Sequence, residues 1–176
     1  MRFSALAIRG AHLIETEVHE DARGTFCRAY CSSEFSRAGI ELRVAQTSLS
    51  SNRTARTLRG MHFAASPASE QKLVRCVQGA AFDVLLDLRP DEPTFRTWTA
   101  TELSADNRHA VLVPPGVAHG YVTLVDDTVL LYEMSEGFRP ELARGVRYDD
   151  PSFAIAWPVH PEVVSPRDSG YPDFAP

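Results

Sequence analysis

Three features of the 176-residue sequence predict an all-β fold, a double-sheet jelly roll with short helical turns. In Phe82-Asp83-Val84-Leu85-Leu86-Asp87-Leu88, the side chains of Phe82, Val84, Leu86 and Leu88 fall on one face, and Asp83 and Asp87 fall on the other. A period of two marks a strand, because successive side chains point to opposite sides of a sheet. Shorter apolar runs recur along the chain with turn residues between them, a spacing that suits a sandwich or barrel. The 12 prolines and 10 glycines are spread throughout, which makes turns frequent and leaves little room for long helices.

Taken in order, a helical turn is expected over residues 32–38, capped by Ser32 or Ser33. Strands are expected over 72–77 and over 82–88, the second opened by Gly79 and closed by Arg89-Pro90-Asp91-Glu92-Pro93. Further strands are expected over 95–101, 110–113, 120–124 and 128–134, with a second helical turn over 104–108. From Trp157 to Pro176 the chain is rich in proline and reads as an extended tail wrapping the rest. No repeat, low-complexity tract or linker divides the sequence, so one domain over residues 1–176 is expected. A β domain of this size must hide its sheet edges; a closed jelly roll does so, and pairing across a dimer does so further.

A hydrophobic share of 44% fits a folded chain with a core. The formal charge of −5 and the lack of a basic run argue against nucleic acid as a partner. A local arginine cluster inside an acidic surface still suits an anionic small molecule. The opening Met1-Arg2-Phe3-Ser4-Ala5-Leu6-Ala7-Ile8 is too short for a signal peptide, and no apolar run is long enough to span a bilayer. The three cysteines are an odd count, and Cys27 and Cys31 have no second pair to complete a zinc site. Reduced thiols in a cytoplasm are therefore expected.

Of the six histidines, His62 and His119 each follow a glycine turn at the end of an apolar strand, where a side chain can enter a barrel mouth. Spacing alone leaves a structural role open for both. Pro114-Pro115-Gly116-Val117-Ala118-His119 fits half of a cupin metal motif, but Phe63-Ala64 follow His62 where the other half needs a second histidine. Arg23 and Arg59 suit phosphate, since a guanidinium donates two parallel hydrogen bonds and keeps its charge. Tyr132 shares a strand face with Leu130 and Met134, and Asp168 follows Ser165-Pro166 as a turn carboxylate; taken singly, neither implies chemistry.

In order along the chain, these residues do carry a likeness. Asp21-Ala22-Arg23-Gly24-Thr25-Phe26, Leu58-Arg59-Gly60-Met61-His62-Phe63 and Lys72-Leu73-Val74-Arg75 are followed by Asp83-Val84-Leu85-Leu86-Asp87-Leu88-Arg89 and Ala118-His119-Gly120. Tyr132, Asp149-Asp150-Pro151, Ile155-Ala156-Trp157-Pro158 and Ser165-Pro166-Arg167-Asp168 complete the set. The ordered whole, over residues 8–174, resembles the dTDP-4-dehydrorhamnose 3,5-epimerase family.

The resemblance implies a cupin-type jelly roll, a homodimer, no metal or other cofactor, and a nucleotide-diphosphate sugar substrate bearing a 4-keto-6-deoxyhexose. It implies that His62 is the base, Asp168 the carboxylate paired with it, Tyr132 the acid and Lys72 the cation beside the ketone. It places Arg23, Phe26, Arg28, Gln46, Ser48, Arg59, His119, Phe138 and Arg167 around the substrate. Such a set suits the reaction. A C–H bond beside a ketone loses its proton only if the enolate is stabilised, imidazole takes a proton near neutral pH, and inversion needs an acid on the opposite face.

Several positions depart from the family. Gln46-Thr47-Ser48 stands where Gln-Asp-Asn is usual, Arg28 where a glutamate is common, Phe138 for a tyrosine and Ala143 for a glutamate. These changes leave the reaction type in place and bear on the sugar, the nucleotide and the number of carbons inverted. Alternatives are a single-carbon epimerase on the same scaffold, a metal-dependent cupin enzyme using His62 and His119, and a sugar-binding cupin without catalysis.

Overall fold

A computed structural model describes residues 1–175. In chain order its elements are β1 (Arg2–Ala5), β2 (His12–Glu15), β3 (Val18–Asp21), β4 (Gly24–Cys27), α1 (Ser32–Arg37), β5 (Gln46–Asn52), β6 (Thr57–Ala64), β7 (Lys72–Gln78) and β8 (Ala80–Asp87). They continue with β9 (Trp98–Ser104), β10 (Ala110–Val113), β11 (Val117–Thr123), β12 (Thr128–Met134), β13 (Ala143–Gly145), β14 (Val163–Val164) and α2 (Pro166–Ser169). One sheet has the order β1-β2-β10-β7-β12-β5 and the other β13-β6-β11-β8-β9, while β3 and β4 form a separate hairpin. Consecutive strands repeatedly sit in opposite sheets, which makes this the expected double-sheet jelly roll.

Three apolar layers hold it together. Val74, Cys76, Leu85, Val111, Tyr121 and Leu130 meet between the sheets. Phe35 of α1, with Ile40 and Leu42 after it, covers the outer face of the first sheet at Ile14, Leu73 and Leu112. The tail and the turn before it cover the outer face of the second, bringing Phe153, and then Trp157 and Phe174 of the tail, onto Met61, Val84, Leu86 and Ala118. The alternation in β8 is present, and both of its faces are buried: the apolar one lies under the tail, the other points between the sheets. Asp83 and Asp87 are therefore fully buried, where a lone carboxylate would cost several kcal/mol, on the order of a buried ion's desolvation. Each has a partner. Asp87 accepts from Arg89 Nε and Nη2, both at 2.8 Å, and from Thr94 at 2.6 Å; Asp83 accepts from His119 at 2.7 Å.

Four local expectations need correction. The stretch 104–108 is a turn, closed because Ser104 N–H donates to Asn107 Oδ1 while Asn107 N–H donates to Ser104 Oγ. Helix α1 is capped by neither serine: Cys31 is its N-cap, with no side-chain cap bond. The strand expected over 95–101 starts at Trp98, since the amides of Phe95 and Thr97 make turn bonds to Glu92 and Thr94, and Arg96, at φ 65°, breaks the extended backbone between them. Gly60 makes no turn before His62 but lies inside β6. The tail does wrap the second sheet, and α2 within it is an element not foreseen; Pro176 lies outside the described residues. No helix is long and apolar enough to cross a membrane among the described residues.

Candidate active site

β6 runs between β11 on one side and β13 and β14 on the other. His62 faces His119 across the first pairing and Gly145 across the second. Val163 and Val164 pair in parallel with Thr57 and Leu58, and this aims the following α2 at the middle of β6. Ser165 caps α2 by accepting from Asp168 N–H at 3.1 Å, with Pro166 at its first turn. Asp168 is thereby set so that Oδ1 receives the His62 Nε2 proton at 2.7 Å and Oδ2 the Gly60 amide at 3.3 Å. The two members of this dyad are 106 residues apart in sequence. Burial alone would raise the Asp168 carboxyl; the bonds from His62, Gly60 and Ser165 outweigh it and hold the group below its ordinary range. An ionised carboxylate only accepts, so Nε2 carries a ring proton.

The dyad opens onto a cavity of about 660 Å³ at the mouth between the sheets. From the facing sheet come Ser48, Lys72 and Tyr132. Lys72 Nζ is 3.3 Å from Glu70 Oε2, and both side chains are largely buried. The Tyr132 ring stands edge-on to His119 at 5.7 Å, and burial raises its phenol well above the ordinary value, helped by nearby Tyr121 and Asp83. Arg59, Arg144 and Arg167 also line the cavity. Arg59 donates to Asn52 Oδ1 at 2.9 Å, Arg144 to the carbonyls of Glu141 and Ala143, and Arg167 to the Tyr171 hydroxyl at 3.0 Å. Among the described residues none of the three has a carboxylate partner within salt-bridge distance, so the cavity wall can accept a multiply charged anion.

The model of the family described as dTDP-4-dehydrorhamnose 3,5-epimerase matches residues 5–176. A dTDP-4-dehydrorhamnose 3,5-epimerase of Sinorhizobium fredii is 37% identical over 99% of this chain and 90% of that protein. The chain belongs to the dTDP-4-dehydrorhamnose 3,5-epimerase family. A dTDP-4-dehydrorhamnose 3-epimerase of Streptomyces niveus is 39% identical, over 96% of this chain and 81% of that one. The crystal structure of the Bacillus anthracis 3,5-epimerase, with TDP and PPi bound, superposes with a TM-score of 0.95 at 36% identity, covering 98% of this chain and 99% of that one. The protein is thus an epimerase of nucleotide sugars, an isomerase with the jelly-roll fold.

The residues expected at the epimerase site divide into two groups. His62, Lys72, Tyr132, Asp168, Arg59, Ser48, His119, Phe138 and Arg167 all line the cavity. Gln46 stands behind it and holds the Phe138 amide at 2.9 Å. Arg23, Phe26 and Arg28 are not brought to it. They belong to the β3–β4 hairpin and its exit, where Arg23 pairs with Asp21 at 2.5 Å and Arg28 with Glu34 at 2.5 Å. Phe26 is 75% exposed. Sequence reasoning missed Arg144, Glu70 and the Asp83 partner of His119. A motif could have pointed only to the last, through its place in Asp83-Val84-Leu85-Leu86-Asp87. The cupin alternative needs His62 and His119 to share an ion, whereas each Nε2 is engaged by a separate carboxylate. Among the described residues no three His, Cys, Asp or Glu side chains are grouped to hold a metal.

Proposed function

We propose that the epimerase acts on a dTDP-4-keto-6-deoxyhexose and inverts C-3 and C-5, the carbons beside the ketone. The His62–Asp168 dyad facing Lys72 and Tyr132 across the cavity carries this conclusion. His62 Nδ1 takes the carbon-bound proton, and Asp168 stabilises the imidazolium through Nε2–H. The electron pair of that C–H bond moves onto the ketone oxygen, and the Lys72 ammonium stabilises the enolate there. Tyr132, from the facing sheet and protonated, returns a proton to the opposite face of the carbon. The diphosphate fits against Arg59 and Arg167, which lack carboxylate partners among the described residues.

A homodimer belongs to the same proposal. Arg23, Phe26 and Arg28 then meet substrate from the hairpin of a second copy, which also covers the exposed Phe26 ring; sedimentation as a single chain would remove this part. A cytoplasmic setting agrees with the three free thiols of Cys27, Cys31 and Cys76, and one domain spans residues 1–176.

The single-carbon alternative draws support from Ser48, Phe138 and Ala143, where polar groups usual in the family are replaced around the cavity. Incubation with dTDP-4-keto-6-deoxyglucose in heavy water separates the two by the number of ring positions that take up deuterium. In the same assay His62→Ala is expected to bind the nucleotide sugar and exchange at least 10²-fold more slowly, as for loss of a general base. Exchange at the wild-type rate by that variant rules His62 out.

A further inference from the structure

Directly opposite His62 in the sheet stands Gly145. A Cβ on it would lie 2.3 Å from Tyr171 Cζ, 2.4 Å from Cε2 and 2.5 Å from the hydroxyl, so the Tyr171 ring fills the place a side chain would take. From there its ring approaches the His62 imidazole edge-on, centroids 6.4 Å apart and planes at 69°. Its hydroxyl accepts from Arg167 Nε at 3.0 Å. Tyr171 lies three residues past Asp168, behind the cavity wall rather than on it.

The bond to Asp168 holds one edge of the imidazole but leaves the ring free to tilt about that edge. A second contact, on the ring itself, removes the tilt. Arg167, exposed and without a carboxylate partner among the described residues, likewise needs a fixed neighbour to hold a guanidinium towards an anion. We propose that Tyr171 is a positioning residue serving both: its ring sets the plane of the His62 base, and its hydroxyl holds Arg167 towards the diphosphate of the substrate. This role rests on the assignment of His62 as the base.

The two halves separate in two variants. Tyr171→Phe keeps the ring and loses the hydroxyl. It is expected to raise KM for dTDP-4-keto-6-deoxyglucose about 10-fold, the scale of a hydrogen bond to a charged group, with kcat within about twofold. Tyr171→Leu loses the aromatic wall. It is expected to lower kcat at least ~10-fold, as for a misplaced catalytic group, and to broaden the ring-proton resonances of isotope-labelled His62 as the ring samples several tilts about the Asp168 bond. A merely structural tyrosine would lower the thermal midpoint and the active fraction together and leave KM, the kcat of the folded fraction and the His62 line widths unchanged. That result overturns the proposal, as does a Tyr171→Phe enzyme with unchanged KM. If the wild-type protein leaves this sugar unaltered, the function proposed above fails. Tyr171 is then still tested by the His62 ring-proton line widths in Tyr171→Leu and by dTDP affinity in Tyr171→Phe, and wild-type values for both reject it.

Discussion

Asp168 takes up one ring nitrogen of His62, so the proton of a carbon acid has only Nδ1 to go to. The face of the sugar presented to that nitrogen is then the face deprotonated, and inversion depends on what stands on the other side. The acid proposed for that side, Tyr132, has a phenol that burial keeps protonated at every pH below its ordinary value of about 10. Removing its hydroxyl alone separates abstraction from inversion. Tyr132→Phe is expected to keep measurable deuterium exchange, through return of the proton by His62, while net inversion falls ~10²–10⁴-fold, the usual worth of a general acid. Equal losses of exchange and inversion, followed by NMR of the sugar ring, would place the acid elsewhere. His62, Lys72, Tyr132 and Asp168 were legible in the sequence only as an ordered set, because each has an ordinary structural explanation alone. Arg144 and Tyr171 left no such trace. Their places beside the site follow from the pairing of Arg144 with Phe63 and of Gly145 with His62, tertiary contacts that no local pattern encodes.

At the scale of elements, the site depends on how closely β6 and β11 approach. Gly60 has φ 137°, a backbone conformation that side chains rarely adopt. A Cβ there would lie 2.5 Å from Gly120 Cα and 3.1 Å from the His119 carbonyl. Both obstacles are backbone, so Gly60→Ala has to part the strands that carry His62 and His119. Overpacking and backbone strain each cost roughly 1–3 kcal/mol, and about 3 kcal/mol lowers the thermal midpoint of a chain this size by roughly 6–12 °C. Calorimetry is expected to show that drop, with activity lost at temperatures where the variant is still folded; an unchanged midpoint would mean that the strands can yield. The same glycine explains part of what the sequence concealed, since it reads as a turn before His62 and is a point of strand contact. Alternation revealed β7, β8 and β12, which carry long apolar runs. β5 escaped because Gln46-Thr47-Ser48-Leu49-Ser50-Ser51-Asn52 is a polar edge strand that faces the cavity with Ser48 and Ser50. β1 to β4 are only four residues each, and α2 is a single turn recognisable by its Ser-Pro cap once the tail is seen to dock.

For the whole molecule, the tail is both a cover for the second sheet and the carrier of the carboxylate bonded to His62. Asp150 clips it by accepting from Phe174 N–H at 2.6 Å and from Ser152 N–H at 2.8 Å. Asp87 closes the turn after β8, and Asp168 joins α2 to β6. Burial by itself would raise all three carboxyls, and in each case the hydrogen bonds outweigh it and lower the group: from Arg89 and Thr94 for Asp87, from Phe174 and Ser152 for Asp150, from His62 and Gly60 for Asp168. The unfolded chain, with carboxyls near their ordinary ~3.9, then binds more protons than the folded one in acid. The stability these groups contribute is complete above roughly pH 5 and is lost as the pH falls through and below ~4. The thermal midpoint is accordingly expected to be flat from neutral pH to about pH 5 and to fall steeply below it. Asp150→Asn keeps the shape of the side chain but not the charge, so its midpoint should be lower at pH 7 and should decline less between pH 5 and pH 3. Because the tail brings Asp168 to His62, epimerisation in that variant should fail at lower temperature than in the wild type at neutral pH. Two melting curves that remain parallel down to pH 3 would show that the charge of Asp150 does not hold the tail.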